Sequence, residues 1–281
     1  TYSENFDTTS LGSYIASNAP QCWSYLETNG SNGVGFVVDY DYNSSSNAYF
    51  LSNEDDTSGD VMLVSPKTTS LADGTRRVRF FAKGYAAGYS LEVGTMTDVA
   101  DPATFSSITT IALTDSHAQY IVNIPAGTNS FLAFKHGLSN TYESIYLDDI
   151  TIENIPSCLE PFLPVVTAFT TTTATLTWTA PPTVPAAGYQ VYYSTSNTAP
   201  TASTVLNASN SASFTTASGQ ISGLNPGTTY YIWVRSTCTA SNASPWSTST
   251  NFITLCVPTV LPYSLDFENL TVPALPNCGT A

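Results

Sequence analysis

Short runs of β-branched and aromatic residues, separated by Gly, Asn, Asp and Ser, recur along most of the chain. Several of these runs alternate apolar and polar residues, as in RRVRFFAKG at 76–84 and QYIVNIP at 119–125. A period of two puts alternate side chains on opposite faces, which is typical of half-buried strands. No window of about a dozen residues carries an apolar stripe with the helical period. The pattern therefore predicts an all-β protein.

The residue pattern of these runs changes at IPSC, residues 155–158. The strands before this point, on a span of roughly 150 residues, favour a jelly-roll β-sandwich. The runs after it, ending near residue 255, predict further strands of a separate domain. We therefore assign residues 1–155 to a first domain and residues 156–256 to a second.

The opening of the chain recurs near its end. TYSENFD at 1–7 is matched by PYSLDFE at 262–268, and each is followed by a run that ends in cysteine, NAPQC at 18–22 and LPNC at 275–278. Self-similarity at long period is typical of an array of modules. Residues 257–281 are therefore predicted to begin a second jelly roll and to contain only its first strand.

The charge balance excludes two classes of partner. Acidic residues number 21 against seven Lys and Arg, which gives a net charge of −14. A surface of that sign repels nucleic-acid phosphates and anionic lipid, and it attracts divalent cations. No apolar run approaches the roughly 18 residues of a membrane span. Neither nucleic-acid binding nor membrane insertion is expected.

The cysteines point to an oxidising compartment. The chain has five, at positions 22, 158, 238, 256 and 278, and no CxxC pair. That spacing does not suit a zinc site. Separated cysteines in a chain poor in charge and rich in Ser and Thr indicate disulfides in an exported protein.

The second domain resembles a fibronectin type III domain. Trp178 stands in its second strand, and LNPGTTYYIWVRS at 224–236 is similar to the corner between the family's strands E and F. The resemblance implies that Leu224 caps the core, that Tyr230 supplies the tyrosine corner and that Val234 points inward. Some other seven-stranded sandwich is the alternative.

The first domain resembles the cleaved-adhesin, MAM-like jelly-roll modules of secreted bacterial surface proteins. The stretches that carry the likeness are DVMLVSPKTTSL at 60–71 and FLAFKHGLSNTYESIYLDDITIEN at 131–154. Lys135 stands where the family has Arg, and Met62 stands where it has Trp. The resemblance implies export by a bacterial outer-membrane route such as type IX secretion, display at the cell surface or release, and a role in adhesion.

This domain organisation suggests how the cysteines pair. Cys158 lies at the start of the fibronectin-like domain and Cys238 lies at the end of its F strand. Both positions are at the same end of the sandwich, so we predict a disulfide between them. Cys256 and Cys278 flank the start of the next jelly roll and would pair with each other. Cys22 corresponds to Cys278 in the repeat, so its partner is expected upstream of Thr1.

Calcium is the cofactor that the acidic residues favour. In the resembling family the first and last strands lie side by side, which implies that Asp7 meets Asp148 and Asp149. Ca²⁺ takes six to eight oxygen ligands of the kind found at strand ends and in loops. The loop SNEDDTSGD at 52–60 is a second candidate, with a solvated acidic turn as its alternative; its ligands would be Asn53, Asp55 and Asp56.

Tyrosines are the candidates for ligand binding. The run VGFVVDYDY at 34–42 reads as a strand with Tyr40 and Tyr42 on one face, opposite two aspartates. Exposed aromatic rings stack on the apolar faces of sugars. Packing at the core or its rim is the alternative for these side chains and for three more near predicted loops, Tyr85, Tyr89 and Tyr142.

No catalytic motif is present. The two histidines, His117 and His136, lie outside any GxSxG or HExxH pattern. The acid pair Asp39 and Asp41 would share a strand face with no cleft between them, and adjacent acids such as Asp148 and Asp149 would point to opposite faces. A glycosidase needs two carboxylates across a cleft.

The sequence therefore predicts a non-catalytic, secreted adhesin fragment. Its calcium-stabilised jelly roll would bind an extracellular glycan or protein, and its other partners would be neighbouring modules of the same polypeptide. The alternative is an accessory region of a large secreted protease or polysaccharide hydrolase, either as a carbohydrate-binding part or as a spacer.

Overall fold

The computed structural model describes residues 1–28, 32–44, 46–137, 140–258 and 260. The chain divides into two compact units, Thr1–Ile155 and Pro156–Ala281. The boundary lies within the IPSC stretch, where the residue pattern of the sequence changes. Within the described residues, the regular structure is β-strand apart from one 3₁₀ turn at Pro102–Thr104. The described part of the chain holds no helix with the length and hydropathy of a membrane span.

The first unit is a sandwich of two antiparallel sheets. One sheet has the order β3–β4–β11–β6–β9 with β1 added beside β11, and the other has the order β2–β5–β10–β7–β8. The strands are β1 (Tyr2–Glu4), β2 (Ser24–Glu27), β3 (Val34–Val38), β4 (Ala48–Ser52), β5 (Val61–Val64), β6 (Arg76–Gly84), β7 (Ser90–Met96), β8 (Ser106–Ala112), β9 (Ala118–Ile124), β10 (Phe131–His136) and β11 (Ser144–Asn154).

The core of this unit lies between the two sheets. In β6 the inward side chains are Val78, Phe80 and Ala82, which alternate with partly exposed Arg79 and Phe81, as the period of two predicts. Strands β3, β4 and β5 are buried along their whole length, because a second layer of side chains and loops covers their outer faces.

A loop segment covers the free edge of β3. Gly12 donates its amide to the Val37 carbonyl and Asn18 donates to the Gly35 carbonyl, each at 3.0 Å. A Cβ atom at position 12 would lie 2.4 Å from the Phe36 Cβ, so this close approach requires glycine. Covering the edge in this way protects β3 from pairing with another chain.

The strand predicted over 34–42 ends at Val38, which corrects that prediction. The last pair between β3 and β4 is Val38 with Ala48, and beyond it the chain turns, with Asp41 at a φ of 53°. An ion pair to Lys83 and a hydrogen bond from His117 hold Asp41 there. Tyr40 and Tyr42 therefore lie in a loop and not on a strand face.

The second unit is also a β-sandwich. One sheet has the order β12–β13–β16; the other has β15–β14–β17, with β18 and β19 both pairing with β17. The strands are β12 (Phe162–Phe169), β13 (Thr173–Thr179), β14 (Tyr189–Ser194), β15 (Ser211–Phe214), β16 (Ser218–Ser222), β17 (Thr229–Thr239), β18 (Asn242–Ala243) and β19 (Thr250–Ile253).

The core markers of the second unit take the places that the resemblance implies. Trp178, Leu224 and Val234 are buried in one cluster between its sheets. Tyr230 is buried in the same cluster, and its hydroxyl accepts a hydrogen bond from the Asn225 amide at 3.0 Å. This contact is the tyrosine corner, which closes the connection before β17 onto the core.

A disulfide links Cys158 to Cys238, the pairing given above, with their Cα atoms 5.8 Å apart. Cys22 is exposed and its thiol is free. Cys278 lies outside the described residues, as does most of 257–281. The bridge to Cys256 and the second jelly roll therefore stay predictions.

Candidate functional site

The pair Asp148–Asp149 lies where β11 changes its neighbour. Residues Ser144–Leu147 pair with β4, and Ile150–Ile152 pair with β1. The first and last strands of the unit are therefore adjacent, as the resemblance implies. The residues that follow β1 and those that precede β4 meet beside the two aspartates.

A β-bulge turns both aspartates toward the same loop. The register of β11 against β6 shifts between Asp148 and Thr151, and Asp149 has a φ of 49°. A bulge adds a residue to one strand and re-aims its side chains. The expectation that these adjacent acids point to opposite faces is therefore wrong, because that expectation assumed regular pleating.

Three carboxylates hold this loop, and we call Asp7, Asp148 and Asp149 the aspartate clamp. Asp148 Oδ2 accepts from the backbone amides of Asn43 at 2.8 Å and Ser44 at 3.0 Å. Asp149 accepts from the side chains of the same two residues, at 2.8 and 2.7 Å. Asp7 Oδ1 accepts from the amides of Ser46 and Asn47, the latter at 2.9 Å.

The carboxylates of Asp148 and Asp149 lie on adjacent residues, and the charge of one affects the protonation of the other. Burial, and then the neighbouring charge of Asp149, raise the pKa of Asp148 to about 7, although the amide hydrogen bonds from Ser44, Asn43 and Asp149 act in the opposite direction. Two carboxylates on adjacent residues repel each other unless one is protonated or a cation lies nearby.

An open cavity of about 460 Å³ lies beside the clamp, lined by Ser3, Glu4, Asn5, Asp149 and Thr151. Burial is the main cause that raises the pKa of Glu4, and Asp7 adds to it. Glu4 is not among the residues predicted to bind calcium, and Leu265 stands at the matching place of the repeat. Among the described residues, no three His, Cys, Asp or Glu side chains are grouped closely enough to hold a metal by themselves.

The second predicted calcium loop has a different arrangement. Asn53 is fully buried, where it donates to the Asn140 carbonyl and accepts from the Glu143 amide. Asp55 accepts from the Asn32 side chain at 3.0 Å, and Asp56 accepts from the Ser58 amide at 2.7 Å. The three side chains bond to separate partners, and the structure does not bring them together.

Five aromatic rings form a continuous surface on the outer side of the six-stranded sheet, and we call this surface the aromatic face. Phe36 pairs with Phe50 across β3 and β4, and Phe50 pairs with Tyr146 across β4 and β11, so the three rings share one face. Tyr14 lies 5.3 and 5.6 Å from Phe36 and Phe50, and Tyr40 lies 6.2 Å from Tyr146, between ring centroids.

The floor of this face is buried, whereas two rings at its margins are exposed. Phe36, Phe50 and Tyr146 are at most 5% exposed, but Tyr14 is 57% and Tyr40 is 45% exposed. Tyr14 was missed in the sequence analysis. Its only signal there is an apolar Tyr-Ile pair within the polar run SLGSYIASN at 10–18.

A polar rim borders the aromatic face. Lys83 lies opposite Tyr146 in the sheet, with its Nζ 5.4 Å from the ring centroid and 2.7 Å from Asp41 Oδ1. His117 Nε2 donates to the Asp41 carbonyl at 2.7 Å. Burial lowers the pKa of His117, which favours its neutral form. The rim therefore combines an ion pair with a neutral imidazole.

The other predicted tyrosines are dispersed. The side chain of Tyr42 is exposed in the loop after β3, and those of Tyr85 and Tyr142 are exposed as well. The backbone amides of Tyr85 and Tyr142 donate to the carbonyls of Ser144 and Glu54, respectively. Tyr89 packs against the core of the first unit, so the packing alternative describes it. Of the five tyrosines predicted to bind a ligand, only Tyr40 belongs to the aromatic face.

These two sandwiches define a modular all-β protein. Residues 160–253 match the family model of the fibronectin type III domain, and this part of the chain is a fibronectin type III domain. Comparison with curated proteins found no match.

Among solved structures, the chain is similar to the K2 and K1 cleaved adhesin domains of Lys-gingipain, the latter from Porphyromonas gingivalis W83. Identity is 15% and 16%, the TM-score is 0.45 for both, and the matches cover 54% and 55% of this chain and 98% of each domain. TmCBM61 in complex with β-1,4-galactotriose matches at 15% identity and a TM-score of 0.36, over 54% of this chain and 94% of the other.

Proposed function

We propose that the first unit is a non-catalytic adhesive module that binds an extracellular glycan or protein at its aromatic face. The observation that carries this proposal is the exposure of Tyr14 and Tyr40 above a continuous floor of buried rings. Monomeric soluble proteins seldom expose clustered aromatic surface unless it binds something. Aromatic rings beside a few polar groups are the usual composition of ligand sites. In this proposal the fibronectin type III domain is a spacer.

The acids near this face have structural partners, which supports the non-catalytic part of the proposal. Asp41 is paired with Lys83, and Asp148 and Asp149 bond to the loop residues Asn43 and Ser44. Glycoside hydrolysis needs two carboxylates that face each other across the scissile bond.

An extracellular location is part of the proposal. The Cys158–Cys238 disulfide is of a kind that persists in oxidising surroundings. Bacterial export, calcium dependence and neighbouring modules as partners rest on the family resemblance. The alternative, an accessory region of a secreted protease or polysaccharide hydrolase, uses the same face in the same way, and the full-length sequence distinguishes the two.

Calcium belongs to the proposal because the oxygen donors beside the aspartate clamp suit it. Glu4 and Asp149 line one cavity together with Asn5. The Asn5 side chain donates a hydrogen bond to Asp7 at 2.8 Å. Ca²⁺ accepts such mixed sets of carboxylate, amide and carbonyl oxygens, so the carboxylates need not suffice alone. A bound cation would offset the repulsion between Asp148 and Asp149 and fix the loop that precedes β4.

The binding proposal is tested with the 281-residue chain on immobilised glycans and extracellular-matrix proteins, with calcium present. We expect binding by the wild type and loss of that binding in the double variant Tyr14→Ala/Tyr40→Ala. Tyr85→Ala is the matched control, because Tyr85 is 72% exposed in the same unit but lies outside the aromatic face. Equal loss in both variants, or no ligand for the wild type, would contradict the proposal.

A further inference from the structure

The aromatic face is bordered mainly by negative charge. Asp39 and Asp41 flank Tyr40 in the chain. Burial is the main cause that raises the pKa of Tyr40 and of Tyr14; the charges of Asp41 and Asp39 add to it at Tyr40, and that of Glu54 adds to it at Tyr14. Lys83 is the cation at this border, and Asp41 already neutralises it at 2.7 Å. Because Lys83 and Asp41 neutralise each other, the carboxylates of Asp39 and Glu54 leave this border with net negative charge.

Aromatic rings attract cations through the negative potential of their faces. The chain uses this attraction repeatedly: Lys83 lies over Tyr146, Lys135 lies 5.0 Å from the Phe105 centroid, and the Arg235 guanidinium lies 4.5 Å from the Trp246 centroid. Tyr14 and Tyr40 are exposed and sit among carboxylates, which is the environment that favours a further cation.

Apolar surface continues beside Tyr14. Ile15 is 98% exposed at the tip of a turn that two hydrogen bonds close, between Ser13 and Ala16, at 3.0 and 3.1 Å. Leu11 is exposed on the same segment. The turn fixes these side chains outward, so a partner that reaches Tyr14 also meets aliphatic surface. A polypeptide that carries both cationic and aliphatic side chains fits this combination better than a sugar does.

We infer that the occupant of the aromatic face is a Lys- or Arg-bearing segment of a partner protein. The inference rests on the proposed function, since it takes the aromatic face to be the binding surface. The net charge of −14 attracts such a segment at long range. The carboxylates of Asp39 and Glu54 repel an anionic glycan at short range, whereas that of Asp41 is neutralised by Lys83. Tyr14 and Tyr40 contact the cation, and Ile15 contacts the aliphatic neighbours.

Fluorescence anisotropy with two labelled peptides tests the inference on the 281-residue chain. One peptide repeats Gly-Arg-Leu four times, and the other repeats Gly-Glu-Leu four times. We expect the arginine peptide to bind, with an affinity that falls as salt is raised, and the glutamate peptide not to bind. Tyr40→Leu keeps apolar area but removes the ring face, and should weaken binding roughly two- to fivefold.

Charge variants separate a specific site from general attraction. Asp39→Asn should weaken the arginine peptide by roughly two- to fivefold. Asp101→Asn is the matched control, because it removes the same charge at the 3₁₀ turn, where asparagine caps equally well. Equal weakening by both variants would mean attraction to the net charge alone and would overturn the inference.

Failure of this inference is distinguishable from failure of the proposed function. One outcome would contradict the cationic partner alone: an immobilised neutral glycan binds, Tyr14→Ala/Tyr40→Ala abolishes that binding, and the arginine peptide does not bind. The aromatic face would then be a binding surface for a different ligand. If neither the glycans, the matrix proteins nor the peptide bind, both are wrong.

Discussion

Asp148 is fully buried beside a second carboxylate, and its neighbours determine its protonation state. Three backbone amides favour its charged form, whereas burial and Asp149 favour the neutral form. With a pKa of about 7, the side chain changes charge near neutral pH, where ordinary aspartates are fully ionised.

The free energy of unfolding should therefore fall as pH rises in calcium-free protein. The unfolded pKa is about 3.9. Between that value and the folded value of about 7, the folded state retains a proton that the unfolded state has lost. The stabilisation is complete below pH about 4 and is lost as pH rises toward 7. Urea unfolding in EDTA at pH 5 and pH 7.5 measures this slope.

Asp148→Asn removes the titrating group and should flatten this slope. At pH 5 it should also lower stability, because an amide nitrogen replaces one acceptor oxygen. A slope that survives unchanged in Asp148→Asn would show that another group causes it.

Calcium should stabilise the protein more at pH 7.5 than at pH 5, because protons compete for the same oxygens. A cation that binds only the folded state adds about 2.7 kcal/mol at a concentration 100-fold above its Kd. Thermal unfolding with and without millimolar calcium measures the effect. Asp149→Ala should abolish it, and Asp56→Asn should retain it as the control. No shift in the wild type would contradict the calcium proposal.

At the scale of secondary-structure elements, the aspartate clamp is formed by three chain segments that meet at β11. The segment that follows β1 supplies Asp7, the connection before β4 supplies the clamped loop, and β11 itself supplies the bulge. The same connection begins with Tyr40 and Asp41 at the aromatic face. The aspartate clamp and the aromatic face thus both involve the connection between β3 and β4.

The segment that covers the edge of β3 can be tested through Gly12. Gly12→Ala would place a methyl group 2.4 Å from the Phe36 Cβ, so the segment must move away from the sheet. We expect a loss of about 1–3 kcal/mol in the free energy of unfolding and weaker binding at Tyr14, measured by urea titration and anisotropy. Gly127→Ala is the control, since its nearest neighbour, the Ala72 Cβ, is 4.0 Å away.

At the scale of the whole molecule, the two units differ in how they are stabilised. The first has a large apolar core, and the second adds a disulfide across 80 residues. A cross-link over a loop of that length stabilises by about 4 kcal/mol. The Cys158→Ser/Cys238→Ser variant should therefore unfold its second unit at lower temperature.

Tryptophan fluorescence measures this transition, because Trp178, Trp233 and Trp246 are three of the four tryptophans and all lie in the second unit. Calcium should not restore the lost stability, since Glu4 and the aspartate clamp belong to the first unit. Unchanged unfolding in the double variant would show that the disulfide adds nothing to stability.

Local pattern was sufficient for the fold class. The alternation in RRVRFFAKG at 76–84 predicts β6 within its observed bounds, because strand periodicity reports burial directly. Trp178 and Tyr230 lie in the core of the second unit as the resemblance to the fibronectin type III domain implies. These features depend on neighbours along the chain, which the sequence displays.

The site depended on contacts that no local pattern contains. The bulge at Asp149 re-aims one carboxylate, and it arises where β11 exchanges one partner strand for another. Tyr14 reaches the aromatic face because Gly12 lets its segment lie on β3. The sequence by itself determined the all-β class, the boundary near residue 155 and the acidic, disulfide-bearing character. Tertiary structure alone decided which acids and rings meet, because residues distant along the chain become neighbours only when the sheets form.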